Sequence, residues 1–511
     1  MYIIKNKRSL SLLFGAVLIL MSCTKKLNTN QVDPNGLAIS SLTGKDVFAQ
    51  ALNATVTNKL GTNISSFPSD NYDYATEWMG YFSRNSGYSA SGIGAHIEIY
   101  ALSFSDANGN WQSLYHNIYD YNFVMGNSTA NSILPGASRV MRAMIFEDLT
   151  DQFGNIPYSQ AAQPNASITP AYDSAAAIYK DLVAQVDSAI TEISASQSTA
   201  DDASDIMFKG SKSLWLAFAN TIKLRLLLRQ VPNVLSANSS YVSGELSNVA
   251  GQGGFLGAGQ DATINPGYVD ASEEQNPFWG DYGYEPGSTS GYQNFNYFGA
   301  NSTILDTLLA TSDPRVGFFF NPASGNTYLG NALGSPLVGA SQLGKGLLQS
   351  PSQAALLFSA SQSFFMQAEA VQRGMMSGNA AMLFRQGVEE SFRYLGLANP
   401  VSAADAFIAG SADPGVNLAV SGNPISTILN QKWVAECGLD GLEAYNDYRR
   451  TGYPAIYAPN AANVPQQRLL YPETEFTLNS ANVNAQNEAT QAATAIPLFW
   501  AQCSFFLTFK E

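Results

Sequence analysis

The stretch Arg139–Ala161, RVMRAMIFEDLTDQFGNIPYSQA, is the one whose reading decides the fold. In its first half Met141, Ile145, Leu149 and Phe153 recur every four residues, and Val140 and Met144 widen the stripe. That period belongs to a helix burying a broad apolar face. Gly154 stands where a left-handed cap ends such a helix, and Asn155 with Pro157 forces an extended exit. Asp151 falls in the last turn, where a carboxylate opposes the helix dipole, so a hydrogen bond from a neighbouring loop backbone is expected. Periodicity alone therefore reads as a core helix with its exit turn.

The same period spreads outward from this helix. Asp46–Gly61 is one helix, and Trp111–Met125 another, with 106–110 as its capping turn. That turn opens like a calcium loop, but Asn117 stands where the closing glutamate is needed. Asp173–Ile193 carries Ile178, Leu182, Val186 and Ile190 in register. Ser211–Arg229 turns Trp215, Phe218, Ile222, Leu226 and Leu227 inward, while Lys223, Arg225 and Arg229 either snorkel to solvent or pair. Ser363–Arg373 and Ala380–Leu395 form a helix pair of tetratricopeptide type, in which the small residues Ala368, Ala370 and Ala381 permit close approach. Ile425, Leu429, Trp433 and Val434 mark a further helix face, followed by a helix from Leu442. Arg449 and Arg450, beside Glu443 and Asp447, are placed to lock the scaffold with charge-assisted bonds. Residues 233–345 break the pattern: rich in Gly, Asn, Ser and Tyr, they read as an irregular insertion.

Composition removes whole classes of function. Across 511 residues the formal charge is -14 and charged residues are only 13%. Such a chain is repelled by phosphate backbones, and no basic cluster offsets this, so nucleic acid is not a partner. The only histidines are His96 and His116, the only cysteines Cys23, Cys437 and Cys503, and neither HExxH nor CxxC occurs. Metal or Ser-His-Asp chemistry has almost nothing to draw on, and no cofactor or metal is expected. A glycan hydrolase needs two carboxylates about 5–10 Å apart across a cleft, and in the aromatic tracts only Glu77, Asp281 and Glu285 offer themselves. Hydrolysis is carried as the enzymatic alternative to a binding protein. Cys437 sits on a helix and reads as a small buried residue rather than a disulfide partner of Cys503.

The N-terminus reads as an export leader over residues 1–22. Lys5, Lys7 and Arg8 precede an apolar run, Leu10–Met21, too short to span a membrane. It ends in Leu20-Met21-Ser22-Cys23, which resembles a bacterial lipobox, with Met21 departing from the usual small residue. Acylation of Cys23 would anchor the chain, and the polar residues 23–45 would tether it.

Two tracts combine rings with small polar residues: Glu77–Tyr88, and Phe278–Phe298 within the insertion. That chemistry suits carbohydrate, because sugar CH groups stack on rings while amides and hydroxyls bond sugar hydroxyls. Trp78 and Trp279 offer the largest faces, Tyr81, Tyr88, Tyr282, Tyr284 and Tyr292 narrower ones, and Asn85 and Asn294 the amides.

The string Asp151–Ala161, DQFGNIPYSQA, resembles the most characteristic stretch of the SusD/RagB-like nutrient-binding outer-membrane lipoproteins. EAYNDYRRTGYP at 443–454 is a second long match. Asp33-Pro34-Asn35, then Asp205, Phe208 and Gly210 ahead of the W..FAN..K.R series at 215–225, then Arg468–Glu473 and Phe499-Trp500 follow in the family's order. The resemblance implies a mostly α, single large domain over 46–511, with tetratricopeptide-like helix pairs and an irregular loop-rich ligand-binding insertion. It further implies a lipid-anchored, surface-facing outer-membrane protein. Such a protein captures nutrient, an oligosaccharide, for a SusC-like TonB-dependent transporter and breaks no bond. A peptide ligand on the same scaffold is the other reading the tyrosines allow. In that family an early loop and the middle insertion resemble two sides of one ligand platform, which pairs the two aromatic tracts.

Overall fold

The computed structural model describes residues 41–61, 72–162, 168–231, 233–455, 465–486 and 495–502. The leader, Cys23, the tether up to residue 40 and Cys503 lie outside the described residues. After α1 (Gly44–Leu60) come the short α2 (Asp73–Trp78), strand β1 (Phe82–Arg84) and the short α3 (Ile93–Glu98). Four long helices follow: α4 (Asn108–Asn127), α5 (Leu134–Phe153), α6 (Ala175–Ala195) and α7 (Lys212–Gln230). Between α5 and α6, β2 (Ile156–Pro157) pairs antiparallel with β3 (Tyr172–Asp173). Helix α5 packs on α4 and α6, α6 on α7, and α1 on α4. Ser174 and Ser211 cap α6 and α7 by accepting from Ala177 and Leu214 backbone N–H groups. Asp106 does not cap α4; it accepts instead from the Ser103 N–H and hydroxyl and pairs with His96 Nδ1 at 2.7 Å.

The decisive helix α5 is buried around most of its circumference, polar positions included: Glu147, Thr150 and Asp151 expose nothing. Gly154 ends it at φ 80°, ψ -118°, with its N–H on Thr150 O at 2.9 Å. The φ is positive as expected, but ψ lies outside the left-handed helical well because the chain swings at once into β2. Only glycine reaches that region without strain, and a Cβ there would also stand 3.0 Å from Arg468 Nη1.

The middle of the chain holds α8 (Ser240–Leu246), β4 (Ala262–Ile264), α9 (Pro277–Tyr282), α10 (Gln293–Tyr297), β5 (Phe298–Ala300), α11 (Ser302–Ala310) and α12 (Val316–Phe319). Strand β6 (Ala355–Phe358) returns to β4, and α13 (Ala360–Gln372), α14 (Ala380–Leu395) and α15 (Pro400–Gly410) stack in sequence. The close approach of α13 and α14 comes at Gly387, whose Cβ position lies 2.9 Å from the Phe365 ring. Ala368 and Ala370 are buried, whereas Ala381 is exposed and plays no part. Then α16 (Pro424–Ala435), α17 (Gly441–Thr451), α18 (Glu473–Leu478) and α19 (Ser480–Asn484) complete the order. Among the described residues no helix is long and apolar enough to cross a membrane.

A network of buried charges ties α5, α7, α13, α16 and α17 together. Arg225 meets Glu147 at 2.6 Å, Arg229 meets Glu443 and lies 3.1 Å from Asp151, and Lys432 lies 2.8 Å from Glu443 and 2.7 Å from Asp447. Arg450 reaches Glu369 at 2.7 Å and Asp447 at 2.8 Å. Lys223, Arg225 and Arg229 of α7 are therefore buried and paired, Lys223 with Asp187 at 2.7 Å, not solvated. Arg450 locks the scaffold as expected, while Arg449 donates to Gln467 O and Asn446 instead. Asp151 also departs from expectation: its bonds come from side chains, Tyr179, Asn446 and Trp500, and from no loop backbone. Burial alone would raise the Glu443 carboxyl; Arg229, Lys432 and Arg225 outweigh it and hold the group well below its usual range.

Candidate functional site

Strand β1 pairs with β5 in the register Phe82↔Ala300, Ser83↔Gly299 and Arg84↔Phe298, joining the early aromatic tract to the insertion. Asn85 then fastens the junction. Its N–H donates to Tyr297 O at 2.7 Å, its Nδ2 to Asn296 O and Phe298 O at 3.0 and 3.2 Å, and its Oδ1 accepts from Asn331 Nδ2 at 3.0 Å. Gly299 must lack a side chain here, since a Cβ would stand 2.7 Å from Asn85 Oδ1. The Asn331 Oδ1 holds the Leu337 N–H at 2.7 Å, and Leu337 O accepts from the Ser86 N–H at 3.2 Å. A single hydrogen-bonded seam thus runs from residue 83 through the 85–88 loop to the 336–340 loop.

Over this seam opens a cleft of ≈ 750 Å³, walled by residues 85–88, 321–324 and 338–340 with Asn296 and Gln342. Tyr88 is half-buried, its ring set edge-on to Tyr297 with centroids 5.5 Å apart. Arg84, just before the loop, is committed: it forks onto Glu98 at 2.6 and 3.1 Å and donates to Tyr88 O. No Asp, Glu, Lys, Arg or His lines the cleft among the described residues. At the rim Val338 is 85% exposed. A second hollow, of ≈ 20 Å³ beside Lys59, Asp73, Tyr282 and Asp440, has room for little more than one water.

Of the nine ligand residues expected from the sequence, Asn85 and Tyr88 line this cleft, and Asn85 has both ends of its amide committed to the backbone and Asn331. Four of the others are core. Trp78 is 1% exposed, donates its indole N–H to Ile97 O at 3.0 Å and meets Tyr74, Tyr100 and Tyr445 edge-on. Tyr81 stacks on Trp433 and donates to that residue's carbonyl at 2.6 Å. Tyr282 is buried against Phe278 and donates to Asp73, while Asn294 donates to Asp281 at 2.5 Å. A ring or amide so enclosed has no face to give a sugar. Trp279, Tyr284 and Tyr292 are half-buried and form a separate cluster off the cleft. The indole N–H of Trp279 is spent on Tyr284 O at 3.1 Å, and the Tyr292 hydroxyl donates to Gln275 at 2.8 Å. The polar lining overlooked in the sequence is Asn296, Asn321, Ser324 and Gln342. The only hint was the Asn-Pro at 321–322 and the asparagines of 293–297, which look like ordinary turn formers.

The carboxylates considered for hydrolysis do not meet in the cleft. Glu77 and Asp281 are buried, and Glu285 lies on an exposed turn. Burial, then the nearby Asp73 and Glu98, push the Glu77 carboxyl well above its ordinary range. Among the described residues no group of three or more His, Cys, Asp or Glu is arranged to hold a metal.

A family model described as "Starch-binding associating with outer membrane" matches residues 40–472. The chain belongs to the SusD-like family. Solved SusD-like structures share its fold. A chitin-binding SusD homolog from Flavobacterium johnsoniae aligns with TM-score 0.69 at 21% identity, covering 89% of this chain and 98% of that one. A SusD/RagB family protein from Bacteroides thetaiotaomicron aligns with TM-score 0.69 at 21% identity, covering 90% and 99%. A SusD homolog from Bacteroides uniformis gives 0.68 and 22%, covering 89% and 99%. At such identities the likeness is one of fold: the mostly α SusD-like domain with tetratricopeptide-like helices. No curated protein matches the sequence. SusD-like proteins are outer-membrane-associated nutrient binders that bind their substrates and do not transform them.

Proposed function

We propose that the cleft above β1 and β5 captures an oligosaccharide at the cell surface and hands it to a SusC-like TonB-dependent transporter, with acylated Cys23 holding the chain to the outer membrane. The observation that carries this reading is the cleft itself, ≈ 750 Å³ of weakly polar space with one accessible ring and no fixed charge. Its size suits a small-molecule site, roughly 300–1,000 Å³. Tyr88 supplies a face for sugar CH groups, and Tyr297 steadies the ring before a ligand arrives. The walls are tied to one another by the Asn85–Asn331 seam, so ligand meets loops already in place.

Calorimetry on the soluble domain with oligosaccharide and peptide panels tests the ligand. Tyr88→Ala should weaken glycan binding by roughly 1–2 kcal/mol and leave melting almost unchanged. Binding confined to peptides, or indifferent to Tyr88, overturns the assignment. Mass spectrometry of the mature N-terminus reads the anchor directly, and an unmodified Cys23 removes it. Co-purification of a TonB-dependent barrel from detergent-solubilised outer membranes is the check on the partner.

A further inference from the structure

Three of the four side-chain amides of the cleft face the same way, Asn85 being the exception because its Oδ1 is taken by Asn331. Asn296 Nδ2 donates to Gly291 O and Tyr292 O at 3.2 and 3.1 Å, Asn321 Nδ2 donates to Leu343 O at 2.8 Å, and Gln342 Nε2 faces Phe295 O at 3.5 Å. A backbone carbonyl only accepts, so in each case the nitrogen must turn inward and the oxygen outward. The orientation follows from the partners and not from a choice between look-alike atoms. Each inward nitrogen satisfies the scaffold, and the three amide oxygens accept no protein hydrogen bond among the described residues. The remaining polar side chains with room to act, Ser86, Tyr88 and Ser324, carry hydroxyls that can turn to donate or accept. Arg84, the cation next to the loop, is already satisfied by Glu98 and Tyr88 O. The wall therefore presents three fixed acceptor oxygens, against which, among these amides, only the second N–H of Asn321 Nδ2 and of Gln342 Nε2 remains to donate, and no cation.

Taking the cleft as the oligosaccharide site, we infer that it selects uncharged, hydroxyl-rich glycans and discriminates against glycans bearing carboxylate or sulfate. A sugar hydroxyl donates to an amide oxygen and accepts from a serine or tyrosine hydroxyl in the same pose. A uronate or sulfate oxygen only accepts; set against a carbonyl oxygen it loses its water and gains no proton. No cation in the wall compensates.

The test is calorimetry with a neutral hexasaccharide panel and its C6-carboxylated counterparts, on wild type, Tyr88→Ala, Asn321→Arg and Gln342→Lys. Wild type should bind a neutral member at least about tenfold more tightly than its carboxylated partner. The ratio should persist from about 0.15 M to about 1 M salt, where screening falls from about 8 Å to about 3 Å. Persistence separates the local wall from the net negative charge of the whole chain. Either cationic variant, checked for wild-type melting, should bring the ratio towards unity. If wild type binds carboxylated glycans equally well, and Tyr88→Ala abolishes that binding, the selectivity is wrong while the site stands. Cationic variants that keep the wild-type ratio also overturn the selectivity. Binding that ignores Tyr88, or no binding of either panel, removes the site and the selectivity together.

Discussion

Trp78 and Tyr88 come from the same aromatic tract and end in opposite situations. Trp78 is enclosed by Tyr74, Tyr100 and Tyr445 with its N–H satisfied, whereas Tyr88 leaves part of its ring to the cleft. Removing an indole from a filled core costs about 3–5 kcal/mol, so Trp78→Ala is expected to lower the melting temperature sharply. Trp279 lies between the two cases. It is half-buried on Tyr284, so Trp279→Ala should cost roughly 1–2 kcal/mol of stability and leave glycan affinity at its wild-type value, because the ring does not line the cleft. Thermal melts paired with calorimetry on both variants read this directly. A loss of affinity in folded Trp279→Ala would return that cluster to the site.

Among elements, the hinge between α5 and β2 is the most demanding. Gly154 combines a φ of 80° with ψ of -118° and a close Arg468 guanidinium. Gly154→Ala should therefore destabilise by about 1–3 kcal/mol, seen in denaturant melts, without changing glycan selectivity. Helices of this length were legible in the sequence because the 3.6-residue period is summed over several turns; α5, α6, α7, α13 and α14 fall within a few residues of their expected bounds. The one-to-two-turn helices α2, α9 and α10 contain no measurable period, and whether their rings are buried depends on partners far away in the chain. Tyr81 is covered by the Trp433 ring stacked on it, and Tyr282 by the Phe82 ring and by Asp73, which accepts its hydroxyl. The aromatic tracts include the 85–88 loop that walls the cleft, but most of their rings build the platform beneath it and do not face it. The amide wall was invisible, since an asparagine in a loop gives no sign of which end it will spend on the backbone.

At the scale of the whole molecule, the buried ion network couples helices distant in sequence, and Glu369 shows its pH signature. Burial alone would raise this carboxyl, but Arg450 and Arg373 hold it at about 2, below its ordinary 4.5. A depressed folded value means that the stabilisation is fully present above pH 4.5 and is lost as pH falls towards 2. Glu369→Gln should therefore cost roughly 3 kcal/mol at neutral pH and show a flatter acid limb in denaturant melts taken across that window. A parallel limb would mean that other carboxylates govern acid unfolding. The network also extends to the far end of the chain. Trp500 donates to Asp151 at 3.0 Å, its ring lies 5.5 Å from the Arg229 guanidinium and 5.1 Å from that of Arg449, and its carbonyl accepts from Asn233 at 2.7 Å. During synthesis Asp151 leaves the ribosome long before this indole exists, and until then the last turn of α5 lacks one of its donors and its cover. The tail thus acts as a clock: a nascent chain halted before residue 500 should still be cut by protease within α5.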